Sequence, residues 1–316
     1  MSARADPPPS VADARPWGPQ QGGLIKRALE GGARLLGRGA PPQPEAPPRA
    51  EPPAVAEAPP VLLVAPAGPD PAERRAWADR LWGEGLCLPG GAAELLRLSA
   101  LLPLTPDATL LLAGDGARAA GGIVSGARGC FVSAFDPLAE PPSAAPKPGR
   151  KVTAAPFDPA APAFRARYHN HAMLLEPFRG GGSPAALLAA TAAGLRAGGQ
   201  LVLLDLVVRD APAAGRWLEA ECRRAPPPEA EIPRALAAAG FQVNVVEDAG
   251  PRHRRAVMEA WAALTEALRG EATRPTPAAA RAMVEEAEAW LLRLRLLEQG
   301  RLRLLRWHAT MARAPS

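Results

Sequence analysis

The chain has 316 residues, of which 47% are hydrophobic, and carries 37 Lys and Arg against 32 Asp and Glu for a formal net charge of +5. That length holds one large α/β domain with extensions or two small domains. The basic balance rests on arginine, since Lys26, Lys147 and Lys151 are the lysines. No Lys/Arg block marks a phosphate-binding tail, so nucleic acid is not expected as a partner.

Cys87, Cys130 and Cys222 stand far apart with no C-x-x-C pair, which excludes a disulfide framework and a zinc site as expectations. The N-terminus has no hydrophobic signal core and no apolar run reaches membrane-spanning length, so a cytoplasmic protein is expected.

Prolines crowd residues 1–60, where few large apolar side chains offset ordering entropy, and a disordered Pro/Ala-rich arm is expected there. Within it GLIKRALEGGARLLGR (23–38) aligns Leu24, Ile25, Ala28, Leu29, Leu35 and Leu36 on one helical face. A transient helix interrupted at Gly31-Gly32 is the simpler reading, and a membrane-surface or partner helix the second.

From about residue 61 helices alternate with short apolar runs, the pattern of βαβ units on a parallel sheet. ATLLLAG (108–114), CFVSAFD (130–136), RKVTAA (150–155) and NHAMLLE (170–176) read as four strands. PAALLAATAAGLRAGG (184–199) reads as a helix ending on glycine before a fifth, fully buried strand at 200–208. A short helix (232–240), a sixth strand (241–248), two long helices (254–269 and 277–299) and a last strand (302–312) complete the order.

Ligands of open α/β sheets sit outside the carboxyl ends of the strands. The first strand ends in AGDGARAAGG (113–122), a glycine turn into a helix. The second ends in Asp136, twenty residues after Gly116, a spacing at which an acid accepts hydrogen bonds from ribose hydroxyls. The third is followed by Phe157 and Asp158, an apolar ring and an acceptor suited to bracketing adenine. Taken singly, each carboxylate is equally well read as a helix N-cap or a solvated turn.

At this point the chain resembles a known family. LRAGGQLVLLDLV (195–207) and AAAGFQVNVVED (237–248) look like the entries to strands five and six of class I S-adenosylmethionine-dependent methyltransferases. LWGEGLCLPGGAAELLRLSALL (81–102) is similar to the segment before the first strand in their small-molecule branch. The resemblance implies a Rossmann-like, seven-stranded, mostly parallel sheet with an antiparallel last strand and helices on both faces. It implies S-adenosyl-L-methionine as cofactor and a small-molecule substrate. Gly114, Asp115 and Gly116 would meet the cofactor's amino-acid portion, Asp136 its ribose, and Phe157 with Asp158 its adenine.

On the same reading residues 61–316 form the methyltransferase-like domain, with 107–250 as cofactor-binding core, 76–104 and 251–300 as helical cover and 301–312 as last strand. Trp82, Gly83, Glu84 and Gly85 would lie on the substrate side. The family pattern places an acid where Leu112 stands and a third glycine where Arg118 stands. With those departures the alternative is a catalytically inactive binding or regulatory protein of the same fold.

Tyr168, His169, His171 and Glu176 cluster on or beside the fourth strand and are the catalytic candidates. The two histidines could act as a base pair, but a structural or supporting role is the commoner fate, and no third ligand by spacing argues for a metal. Trp77 and Trp82 lie in a helical segment where core packing competes with stacking on a substrate cation. LLRLRLLEQGRLRLLRW reads as a helix passing into an edge strand with a solvated arginine face, with nucleic-acid binding second.

Overall fold

The computed structural model describes residues 71–139, 151–209 and 215–312. The expected N-terminal arm and its amphipathic segment lie outside the described residues. Helices α1 (Pro71–Trp82) and α2 (Gly91–Ser99) precede β1 (Thr109–Gly114), α3 (Ala117–Arg128), β2 (Phe131–Asp136), β3 (Val152–Pro156) and β4 (His169–Leu175). Then follow α4 (Pro184–Gly194), β5 (Leu195–Val208), α5 (Gly215–Ala220), α6 (Glu231–Ala238), β6 (Phe241–Asp248), α7 (Gly250–Gly270), α8 (Pro277–Glu298) and β7 (Leu302–Met311). Local chemistry sets several starts: Ser183 and Thr276 accept the Ala186 and Ala279 N–H groups, each before a proline in the first turn of α4 and α8.

The strands form one sheet in the order β3-β2-β1-β4-β5-β7-β6, with β1 to β5 parallel and β7 antiparallel to both β5 and β6. Alternate side chains feed two cores, because successive residues of a strand point to opposite faces. Leu110 and Leu112 face α2, α3, α7 and α8, while Leu111 and Ala113 face α4 and α6. Both faces are covered, which is why these strands read as continuous apolar runs. Among the described residues no helix is long and apolar enough to cross a membrane.

Two expectations need correction. The fourth helix stops at Gly194 and β5 begins at Leu195, because His169 pairs with Leu195 and the next pair, His171 with Gln200, skips the Arg196–Gly199 stretch as an irregularity. The C-terminal strand is not an edge strand: Trp307 faces both Leu203 of β5 and Val246 of β6, which leaves β6 as the edge. Its arginines are not a plain solvated face either. Arg303 pairs with Glu229, and Arg306, 6% exposed, pairs with Glu247.

Candidate functional site

The carboxyl ends of β1, β2 and β4 meet beside the switch point, where β2 and β3 lie on one side of β1 and β4 on the other. The turn after β1 is tight. Gly114 has φ 133°, and a Cβ there would stand 2.0 Å from the Leu175 carbonyl oxygen at the end of β4. Gly116, at φ 74°, caps α3, and a Cβ there would lie 2.6 Å from the Gly85 carbonyl oxygen. Both glycines thus admit neighbouring backbone, and the Gly85–Cys87 segment is laid directly on the turn.

Asp136, buried at the end of β2, is aimed at this turn. One carboxylate oxygen accepts the Arg118 N–H at 3.2 Å, in the first turn of α3, and the other accepts the Leu138 N–H at 3.0 Å. A carboxylate offers about four acceptor sites, so acceptor capacity remains for a ligand's hydroxyls. Arg118 contributes its backbone to this arrangement while its side chain points to solvent. Leu112, where the family pattern has an acid, is fully buried in the core. Beside β3, Asp158 is exposed and one of its oxygens accepts the Ala160 N–H. Phe157, expected to face adenine with Asp158, is 7% exposed and stacked on Phe164.

The β4–β5 side is built differently. Glu176 follows β4 with φ 42°, a left-handed conformation unusual for a non-glycine residue, and turns its carboxylate inward. It accepts Arg293 Nη1 at 2.8 Å and Arg223 Nη1 at 3.0 Å. Arg293, from α8, also donates to Glu221 through Nε at 2.6 Å and Nη2 at 2.5 Å. Asp205, on β5, accepts the Phe178 and Leu206 N–H groups and lies 3.8 Å from Arg223. At the rim Arg179 Nε meets Asp115 at 3.0 Å and its Nη2 donates to the Glu221 carbonyl at 2.8 Å.

Burial alone would raise the Glu176 carboxyl, but Arg293 and then Arg223 and Arg179 overcome it and hold it well below the ordinary carboxylate range. Glu221 is lowered in the same way, against burial, chiefly by Arg293. Asp205 goes the other way: burial pushes it up to about 7 despite Arg223. Burial, with Asp115 adding to it, also pushes the Cys87 thiol up to about 12. These residues therefore offer a fixed charge network and no poised thiolate.

The catalytic candidates separate. Glu176 joins the strand-end face, but as a locked ion-pair partner. Tyr168, His169 and His171 lie at the amino end of β4, because His171 pairs with Leu110 while Leu175 pairs with Gly114. Five residues of strand from His171 to Glu176 span roughly 16 Å, so those side chains do not reach the turn. His169 is buried beside Phe135 and Tyr168, and burial lowers it to about 4. His171 Nδ1 accepts the Gln200 N–H.

Trp82 is likewise a core residue, 4% exposed and packed edge-on to Trp290 at 5.0 Å, while Gly83 and Glu84 are exposed. Among the described residues no group of three His, Cys, Asp or Glu converges as metal ligands do.

Sequence reasoning missed Arg179, Asp205, Glu221, Arg223 and Arg293. Two left a signal. Asp205 interrupts the apolar run LVLLDLVV, and Arg293 falls three residues after Trp290 on the buried stripe of α8. A charge at an apolar position announces a buried partner.

The strand order with its antiparallel seventh strand defines the fold as that of the class I methyltransferases. Among solved structures, this chain is similar to phosphoethanolamine N-methyltransferase 2 of Haemonchus contortus in complex with phosphomonomethylethanolamine and S-adenosylhomocysteine. The identity is 16%, the TM-score 0.58, and the match covers 75% of this chain and 56% of that one. This chain thus matches little more than half the length of that enzyme. It is also similar to a putative sarcosine dimethylglycine methyltransferase of Galdieria sulphuraria, at 11% identity, TM-score 0.56, and 76% and 98% of the two chains. A third is geranyl diphosphate C-methyltransferase of Streptomyces coelicolor with Mg2+, geranyl diphosphate and S-adenosyl-L-homocysteine, at 14% identity, TM-score 0.51, and 70% and 77% of the chains. No family model and no curated protein matches the sequence.

Proposed function

We propose that this protein is an S-adenosylmethionine-dependent methyltransferase acting on a small molecule. The observation that carries the reading is Asp136. Its carboxylate is buried at the end of β2, each oxygen is fixed by one backbone N–H, one of them in the first turn of α3, and acceptor capacity is left over. That is the requirement for holding a ribose beside a glycine turn. The fold it shares with proteins solved in complex with S-adenosylhomocysteine supports the same reading.

In this reading the 114–116 turn receives the amino-acid portion of the cofactor, Asp136 the ribose, and Asp158 offers its remaining acceptor to adenine. Residues 107–250 form the cofactor-binding core, covered by 76–104 and 251–300. The bound cofactor supplies a methyl group already activated on a sulfonium. What the chain supplies is alignment and exclusion of water, and positioning of reactants is worth up to about 7–11 kcal/mol in favourable cases. The buried ion pairs tie α8 to the end of β4 and to the segment after α5, and so hold the cover beside the strand ends.

Thermal melting with S-adenosylmethionine or S-adenosylhomocysteine tests the reading. At a hundredfold excess over Kd a ligand adds about 2.7 kcal/mol, a shift of several degrees. Asp136→Ala is expected to abolish that shift. Absence of any shift with the unaltered protein at millimolar ligand sinks the proposal.

A further inference from the structure

The network at the β4–β5 side has a graded exposure. The side chains of Arg223, Arg293, Asp205 and Glu221 are at most 5% exposed and that of Glu176 10%. Asp115 and Arg179 are 24% and 25% exposed. The buried carboxylates Glu176 and Glu221 are both bound by Arg293. What the network presents at the strand-end turn is therefore one carboxylate and one guanidinium, 3.0 Å apart.

Each charge is anchored from behind. Asp115 is fixed by its place between Gly114 and Gly116, whose conformations leave no room for other side chains. Arg179 is held by its Nη2 bond to the Glu221 carbonyl, its backbone N–H bond to Glu176 and its carbonyl's acceptance of the Arg224 N–H. An ion pair whose members are held separately can open without either losing its position. Its two halves match a ligand that carries an ammonium and a carboxylate on one carbon.

We propose that the Asp115–Arg179 pair is a zwitterion receptor that opens to take the α-amino-acid group of the cofactor, the ammonium on Asp115 and the carboxylate on Arg179. The assignment rests on the methyltransferase reading and adds a residue to it. It also gives this chain a replacement for the acid absent at Leu112, since Asp115 lies in the same turn. Arginine suits the carboxylate because its planar fork donates two parallel hydrogen bonds.

The test uses three neutral-sulfur probes on the full chain by isothermal calorimetry: S-adenosylhomocysteine, its decarboxylated analogue, and 5′-methylthioadenosine, which lacks both charged groups. S-adenosylhomocysteine is expected to bind best and the decarboxylated analogue more weakly. Arg179→Gln is expected to cost S-adenosylhomocysteine about tenfold to a hundredfold, the range for a charged hydrogen bond, and to leave 5′-methylthioadenosine unchanged. Arg179→Lys is expected to recover part of the loss, and Asp115→Asn to weaken both ammonium-bearing probes.

Unchanged 5′-methylthioadenosine binding also certifies that each variant is folded. If Arg179→Gln leaves S-adenosylhomocysteine binding equal or tightens it, Arg179 is a competitor or a bystander and the receptor is overturned, while the methyltransferase reading stands. If the unaltered protein binds none of the three probes, both fall.

Discussion

The strand-end face has two halves built on opposite principles. On the β1–β2 side, backbone makes the site: a glycine turn, the first N–H groups of α3, and one carboxylate with acceptor capacity to spare. On the β4–β5 side, charged side chains pair with one another in the interior and present the Asp115–Arg179 pair at the rim. The difference separates two jobs. Spare hydrogen-bonding capacity at an accessible carboxylate is what a ligand can use, whereas a buried ion-pair network fixes the geometry around it.

The largest effect is expected on the β4–β5 half. Arg293→Met leaves Glu176 and Glu221 buried without their main partner, and breaking such a network costs about 3–5 kcal/mol. Urea unfolding measures it. Replacing Glu176, Glu221, Arg223 and Arg293 together by apolar residues of similar volume should recover most of that loss, because no buried charge of the cluster is then left without its partner. A single variant as stable as the parent would break the distinction between the halves.

Gly114→Ala probes the backbone half. Its Cβ would meet the Leu175 carbonyl oxygen at 2.0 Å with φ at 133°, and overpacking of this kind costs about 1–3 kcal/mol. The same variant should lose the melting shift with S-adenosylhomocysteine, because the turn must move.

The pH dependence sharpens the comparison. Burial holds Asp205 protonated up to about 7, above its value in the unfolded chain, so stability from this group is full below about pH 4 and is lost as pH rises toward 7. The melting temperature of Asp205→Asn relative to the parent should therefore climb from pH 4 to 7 and stay level above it. A constant difference across that window would place Asp205 outside the network's charge balance.

Arg118→Ala should do least. Its side chain is exposed and the bond to Asp136 comes from its backbone, so stability should shift by less than about 0.5 kcal/mol and S-adenosylhomocysteine affinity should hold. A large gain in affinity would show that the arginine opposes the ligand after all.

The alternation of helices and apolar runs, the glycine that ends the helix before the fifth strand's apolar run, and the acid twenty residues beyond Gly116 were legible in the sequence, because each is a local pattern of period or spacing. The seven-stranded sheet with its antiparallel last strand came from the resemblance to the class I methyltransferases, and the structure has it. The position of β7 did not. An antiparallel strand inserted between β5 and β6 has the same composition as one at the edge, and only its pairing on both sides distinguishes the two. Tyr168, His169 and His171 were read as lying on or beside the fourth strand, where His169 and His171 do lie, but which end of it reaches the turn depends on register with β1.

The sequence by itself determined the class of sheet, the glycine turn and Asp136, since hydrophobic period and turn chemistry act within a few residues. Tertiary structure alone decided what surrounds them. Glu176, Arg179, Asp205, Glu221, Arg223 and Arg293 come from segments up to 117 residues apart. They find one another because charges withdrawn from water by the packing of α8 against α1, α5 and β7 are stable only when paired.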